Sequence, residues 1–149
     1  MTALAALIAK LEAATEGSRE LDAEIRFHVA DDMNRCNFDE GSYHGDCDEP
    51  GCGGWLGLHD ERRSYPQRWQ DDERLPRYTT SLDAALTLVP VDPKGGWYWR
   101  VGHSSLYRGW AHLNRYHPDN CDTGDETSGN AATPALALCI AALRARMGK

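Results

Sequence analysis

Three segments between Tyr78 and Met147 decide the fold: Leu82-Asp-Ala-Ala-Leu-Thr-Leu-Val89, Trp97-Tyr-Trp-Arg-Val101 and Leu136-Ala-Leu-Cys-Ile-Ala-Ala-Leu143. In the first, Leu82, Ala85, Leu86 and Val89 stand at i, i+3, i+4 and i+7, one face of a helix. Thr80 and Asp83 form a capping-box-like start, and Pro90 stops the helix. The second segment follows a Pro/Gly break and alternates large rings, as a strand does. Trp97, Trp99 and Val101 fall on one face, Tyr98 and Arg100 on the other. In the third, Leu136, Cys139, Ile140 and Leu143 repeat the helical spacing. Thr133-Pro134 supplies an N-cap and a proline at the first helical position, and Arg144, Arg146 and Lys149 complement the dipole at the far end.

Outward from these segments, Leu4, Leu7, Ile8 and Leu11 predict a helix over Thr2 to Ala14 with Thr2 as its cap. Ser18 caps a second, short helix with Leu21, Ile25 and His28 or Val29 inside. Ser104 and Ser105 suit a turn, so Leu106–Leu113 is predicted as a strand partnering Trp97–Val101, and His117–Asn130 as a polar loop. The expected class is α+β, a small α/β/α sandwich of helices packed on a short, mainly antiparallel sheet. One domain over residues 1–149 is expected, with a long Cys-rich loop insertion at about 33–76, where helical and strand periodicity both fail.

With a mean hydropathy of -0.61, the composition is that of a soluble protein. Ala135 to Leu143, the longest apolar run, is too short to cross a membrane. Lys10 and Glu12 interrupt the apolar start, which reads as a helix and not a signal peptide, so a cytoplasmic location is expected. The net charge is -7 and sits in the middle of the chain: residues 31–73 hold twelve Asp/Glu against four Arg, and the remainder is nearly neutral. That balance argues against a nucleic-acid binder. It suits either a solvated polar segment or an acidic surface that meets a host or phage protein with a basic face.

The segments Tyr78–Pro90, Trp97–Val101 and Ala132–Leu143 resemble the phage ABA sandwich domain, a group of small phage and prophage proteins. His117–Glu126 and Glu20–Ile25 share the likeness. The resemblance covers about residues 1–28 and 78–147. It implies a sheet sandwiched by helices in a phage- or prophage-encoded protein acting in the bacterial host cytoplasm. It implies no particular reaction.

Three groups carry candidate chemistry. Cys36, His44, Cys47 and Cys52 lie among Gly and Pro turns, and three thiolates with one imidazole form a structural zinc set. His59 or His28 can replace one ligand; the competing reading is reduced thiols in a flexible loop, as a cytoplasmic location favours. The stretch His112–Glu126 holds His112, His117, Asp119, Cys121, Asp122, Asp125 and Glu126: its carboxylates supply oxygen ligands for a divalent cation and its Cys and His a nucleophile–base pair, although turn-forming roles account for the same residues. Tyr98, Arg100 and Arg108 form a candidate ligand- or nucleotide-binding surface, with Trp97 and Trp99 read as core. Phosphate-loop, dinucleotide, nucleophile-elbow and zinc-hydrolase motifs are all missing, so a non-enzymatic binding role is expected. The zinc reading predicts about one zinc per chain in purified protein, lost in Cys47→Ser. Elemental mass spectrometry checks it, and metal-free wild-type protein contradicts it.

Overall fold

The computed structural model describes residues 2–29, 73, 75–91, 96–106, 108–116 and 125–148. Nearly all of the insertion at 33–76, with Cys36, His44, Cys47 and Cys52, lies outside them. The chain divides into two compact units: residues 1–17 with 77–149, and residues 18–76. The class is α+β. Among the described residues no helix is long and apolar enough to cross a membrane.

The larger unit holds α1 (Ala3–Ala13), α3 (Leu82–Leu86), β1 (Gly96–Gly102), β2 (Gly109–Tyr116), β3 (Glu126–Ala131) and α4 (Pro134–Met147); α2 (Arg19–Val29) belongs to the other. The caps of α1 and α4 form where the sequence puts them. Thr2 Oγ1 accepts from the Ala5 amide at 3.1 Å, and Thr133 Oγ1 accepts from the Leu136 amide at 3.3 Å. Each satisfies a first-turn amide that has no partner inside its helix.

The remaining elements depart from the expected bounds for physical reasons. Helix α3 ends at Leu86 instead of Val89. Its cap is Ser81, whose Oγ accepts from Ala84, and not Thr80. Beyond it the chain tightens: Thr87, Leu88 and Val89 amides bond to Ala84, Ala85 and Leu86 carbonyls, and Thr87 Oγ1 donates to the Ala84 carbonyl at 2.6 Å. These i to i+3 bonds turn Leu88 inward, so Ala85 and Leu88 are buried while Leu82 is exposed. Strand β2 begins at Gly109, not Leu106, which is 78% exposed. A Cβ at Gly109 would collide with the Thr133 carbonyl group, so only glycine lets the strand start beneath the cap of α4.

β3 replaces the later part of the loop expected over His117–Asn130. Its sequence, Glu-Thr-Ser-Gly-Asn-Ala, has little intrinsic strand preference. Packing makes it a strand. A Cβ at Gly129 would collide with the Ala137 carbonyl oxygen and lie 2.9 Å from Ile140 Cβ, so the bare backbone permits close approach of the helix. Two residues earlier, Thr127 Oγ1 donates to the Ala141 carbonyl at 2.8 Å.

The sheet is antiparallel in the order β1-β2-β3. Its register sets three rows across one face: Val101, Ala111 and Gly129; Trp99, Leu113 and Thr127; Trp97, Arg115 and Asp125 at the end. Helix α4 packs chiefly on the β2 and β3 parts of that face, α1 and α3 pack on α4, and α1 also reaches β3. Ala135 through Leu143 are all buried, so the expected stripe of Leu136, Cys139, Ile140 and Leu143 is part of a helix enclosed on every side. Cys139 is core, as expected, and its Sγ donates to the Tyr78 carbonyl at 3.1 Å.

In the second unit, Ser18 caps α2 as expected, its Oγ accepting from Leu21. The buried face is Asp22, Ala23, Ile25 and Val29, with Leu21 only half-buried. Asp22 can be buried because Arg19 Nη1 pairs with it at 3.0 Å. Arg19 Nη2 also donates to the Leu75 carbonyl at 2.8 Å, and Leu75 packs on Ala23.

Gly129→Ala is expected to destabilise the protein by about 1–3 kcal/mol, because the colliding atom belongs to helix backbone and cannot swing aside. Urea denaturation at unchanged m-value checks this.

Candidate functional site

Helix α4 covers β2 and β3 more fully than β1, and that asymmetry makes the site. Trp97 is half-buried and Trp99 is 50% exposed, although both share the face on which Leu113 is buried. Trp99 is therefore not the core residue that alternation alone suggests. Where the end of α4 meets the β1 side of the sheet lies a cleft of about 480 Å³, lined by Trp97, Arg115, Asp125, Thr127, Arg144 and Val91 among others.

The cleft is built from the last row of the sheet. Trp97 of β1 stands opposite Arg115 of β2, and Arg115 opposite Asp125 at the entry to β3. The Arg115 amide donates to the Asp125 carbonyl at 2.9 Å, and its Nη1 reaches Asp125 Oδ2 at 3.2 Å. One residue pair is thus fixed through backbone and side chain together. The last turn of α4 lines the cleft through Arg144 and Ala145, and the C-cap Gly148 follows. Its carbonyl end carries partial negative charge, which favours cations such as Arg115 and Arg144 nearby. Arg144 is held in place: Nη1 donates to the Ser128 carbonyl at 2.7 Å, and Nη2 pairs with Glu12 of α1.

The cleft therefore offers an indole wall, two guanidinium groups and a carboxylate at Asp125. Thr127 is already bonded to Ala141. Glu126 also lines the cleft, while its carboxylate lies on the other face of the sheet, where Oε1 accepts from Asn114 Nδ2 at 2.8 Å and lies 3.9 Å from His112 Nε2. Among the described residues lining the cleft there is no Cys, His or Lys, and no nucleophile–base pair. Such a site can stack on a flat group and fix it by charge and hydrogen bonds.

Tyr98 and Arg100 lie on the opposite face of the sheet, beside Asn114 and His112 in the register. Tyr98 is 62% exposed, and Arg100 is exposed. Arg108 is exposed on the lead-in to β2, ahead of Gly109. The expected ligand surface thus places two of its three residues side by side on one strand, away from the cleft. Among the described residues no group of three or more His, Cys, Asp or Glu is placed to hold a metal ion. Cys36, His44, Cys47 and Cys52 lie outside those residues, as do His59 and His117–Cys121. His28 in α2 stacks edge-on with Phe27 at 5.6 Å.

In the sequence, Trp97 reads as a core ring and Asp125 as a loop carboxylate, with nothing to join them to Arg115. The register that aligns them is not visible before β3 is known. No family model, curated protein or solved structure matches the chain.

Proposed function

We propose that this protein is a non-enzymatic binding module, an accessory protein of a phage or prophage that acts in the cytoplasm of the bacterial host. The observation that carries binding over catalysis is the cleft itself: the Trp97 ring, Arg115 and Arg144 surround about 480 Å³ that lacks a nucleophile–base pair among the described residues. The viral origin is supported by the resemblance of Tyr78–Pro90, Trp97–Val101 and Ala132–Leu143 to the phage ABA sandwich domain.

A volume of this size suits a small molecule. Its chemistry suits a flat ring bearing an acidic group: the ring against Trp97, the acidic group on the remaining N–H donors of Arg115 and Arg144, beside the Asp125 and Glu12 carboxylates they already pair with. A nucleoside monophosphate is one such compound. The acidic stretch at residues 31–73 supports a second contact, with a host or phage protein that presents a basic surface. A structural zinc on Cys36, His44, Cys47 and Cys52 would give that stretch a fixed shape.

The test is a panel of nucleoside monophosphates and aromatic carboxylates, followed by tryptophan fluorescence and melting temperature. At least one is expected to quench fluorescence and raise Tm, saturably, and Arg115→Met is expected to weaken it tenfold or more. A panel that shifts neither signal, or a ligand bound equally well by Arg115→Met, contradicts the assignment to this cleft.

A further inference from the structure

Strand β1 forms one edge of the sheet, and the register shows which of its backbone groups face outward. The Arg115 amide bonds directly to the opposite residue, Asp125, so the odd-numbered residues of β2 turn their N–H and C=O groups toward β3. The even-numbered residues of β2 turn theirs toward β1. They stand opposite Gly96, Tyr98, Arg100 and Gly102. It follows that the N–H and C=O groups of Trp97, Trp99 and Val101 point to the open edge, where they meet no partner strand among the described residues.

Edge strands are usually blunted by proline, a bulge, several charges or short length. β1 is seven residues long, its pairing with β2 runs without a bulge, it contains no proline, and Arg100 is its one charge. About Trp99 its sequence sets Gly96 against Gly102, apolar Trp97 against apolar Val101, and Tyr98 against Arg100.

We infer that the β1 edge binds the same edge of a second copy of this chain, antiparallel, about a two-fold axis at Trp99. In that register Trp99 faces Trp99 of the other copy, Trp97 faces Val101, Tyr98 faces Arg100 and Gly96 faces Gly102. The three outward-facing positions close about six backbone hydrogen bonds. On one face the rings of Trp97 and Trp99 cover each other and Val101, removing the half-exposed Trp99 ring from water. An apolar hollow of about 330 Å³ walled by Leu86, Val89, Val91 and Trp97 runs beside them. On the other face each Tyr98 ring lies directly across from an Arg100 guanidinium, in the closer, non-hydrogen-bonded kind of pair.

The alternatives within the same geometry are poorer. Centring the axis on Arg100 sets two arginines directly opposite, which is unfavourable across strands. Centring it on Tyr98 leaves Val101 without a partner and reduces the hydrogen bonds to about four. A slip by one residue turns the tryptophans of one copy against the polar face of the other. An unrelated strand has no reason to answer this sequence position by position, whereas a second copy does so by symmetry.

Sedimentation velocity of the untagged full chain over a concentration series tests this. Wild type is expected to reach twice 16.6 kDa at high micromolar concentration. Val101→Pro removes an outward N–H without touching the β1–β2 ladder, and Trp99→Lys places a charge at the axis. Both are expected to remain at 16.6 kDa with unchanged far-ultraviolet circular dichroism. Amide exchange gives a readout on wild type alone: the Trp97, Trp99 and Val101 amides are expected to slow as concentration rises. A wild-type chain that stays monomeric throughout overturns the proposal. So does a dimer in which those three amides exchange at a concentration-independent rate.

Discussion

Helix α4 has no water-facing stripe between Ala135 and Leu143, and the arrangement of the larger unit follows from enclosing it. A helix apolar on every side is stable in water only when neighbours cover each side. Alanines at 135, 137, 141 and 142 let those neighbours come close, and Gly129 removes the last obstacle on the β3 side. Polar groups that reach the helix are satisfied as they arrive: Thr127 donates to Ala141, and Cys139 donates to Tyr78. The helix is thus the hub on which α1, α3 and the sheet meet, and the sheet is shaped to fit it.

One helix cannot cover three strands equally. Lying over β2 and β3, α4 buries Ala111 and Leu113 and leaves Trp97 half-buried and Trp99 half-exposed on the same face. The cleft at Trp97, Arg115 and Asp125 and the exposure of Trp99 are both consequences of that displacement. Apolar rings on an uncovered strand have a solvation cost that a folded domain alone does not relieve. A ligand in the cleft and a second copy at the edge would each relieve it, at different atoms: the first at the guanidinium of Arg115, the second at the backbone of Trp97, Trp99 and Val101.

The parts of this architecture that are local were legible in the residues. Thr2 and Thr133 cap the helices they were expected to cap, because a cap is decided within four residues. Trp97–Val101 is a strand because consecutive aromatic residues and a β-branched valine suit a pleated surface. What escaped is non-local. Glu126–Ala131 has no apolar alternation, and its strand exists because Gly129 and Thr127 fit the helix that follows. Leu106 looks like the start of a strand, yet the start is Gly109, chosen by the closeness of Thr133. Leu82 looks like a buried position, but the tightened turn after α3 delivers Leu88 instead. The site suffered the same way. Arg144 reads as a cation at a helix end, and only the tertiary structure shows it gripping Ser128 and Glu12 at the wall of a cleft. Tyr98 and Arg100 were placed correctly on the face opposite Trp97, since that relation needs no more than the period of a strand.

The central claim is that enclosure of α4 holds the larger unit together. Native-state hydrogen exchange in low urea tests it most directly, by comparing α4 amides from Leu138 to Ala142 with amides in the β1–β2 ladder. If α4 is the hub, its amides exchange only through global unfolding, with the full urea dependence of the protein, and the ladder opens at equal or lower free energy. If the α4 amides instead exchange through a smaller opening while the ladder stays protected, the sheet stands without the helix and the account is wrong.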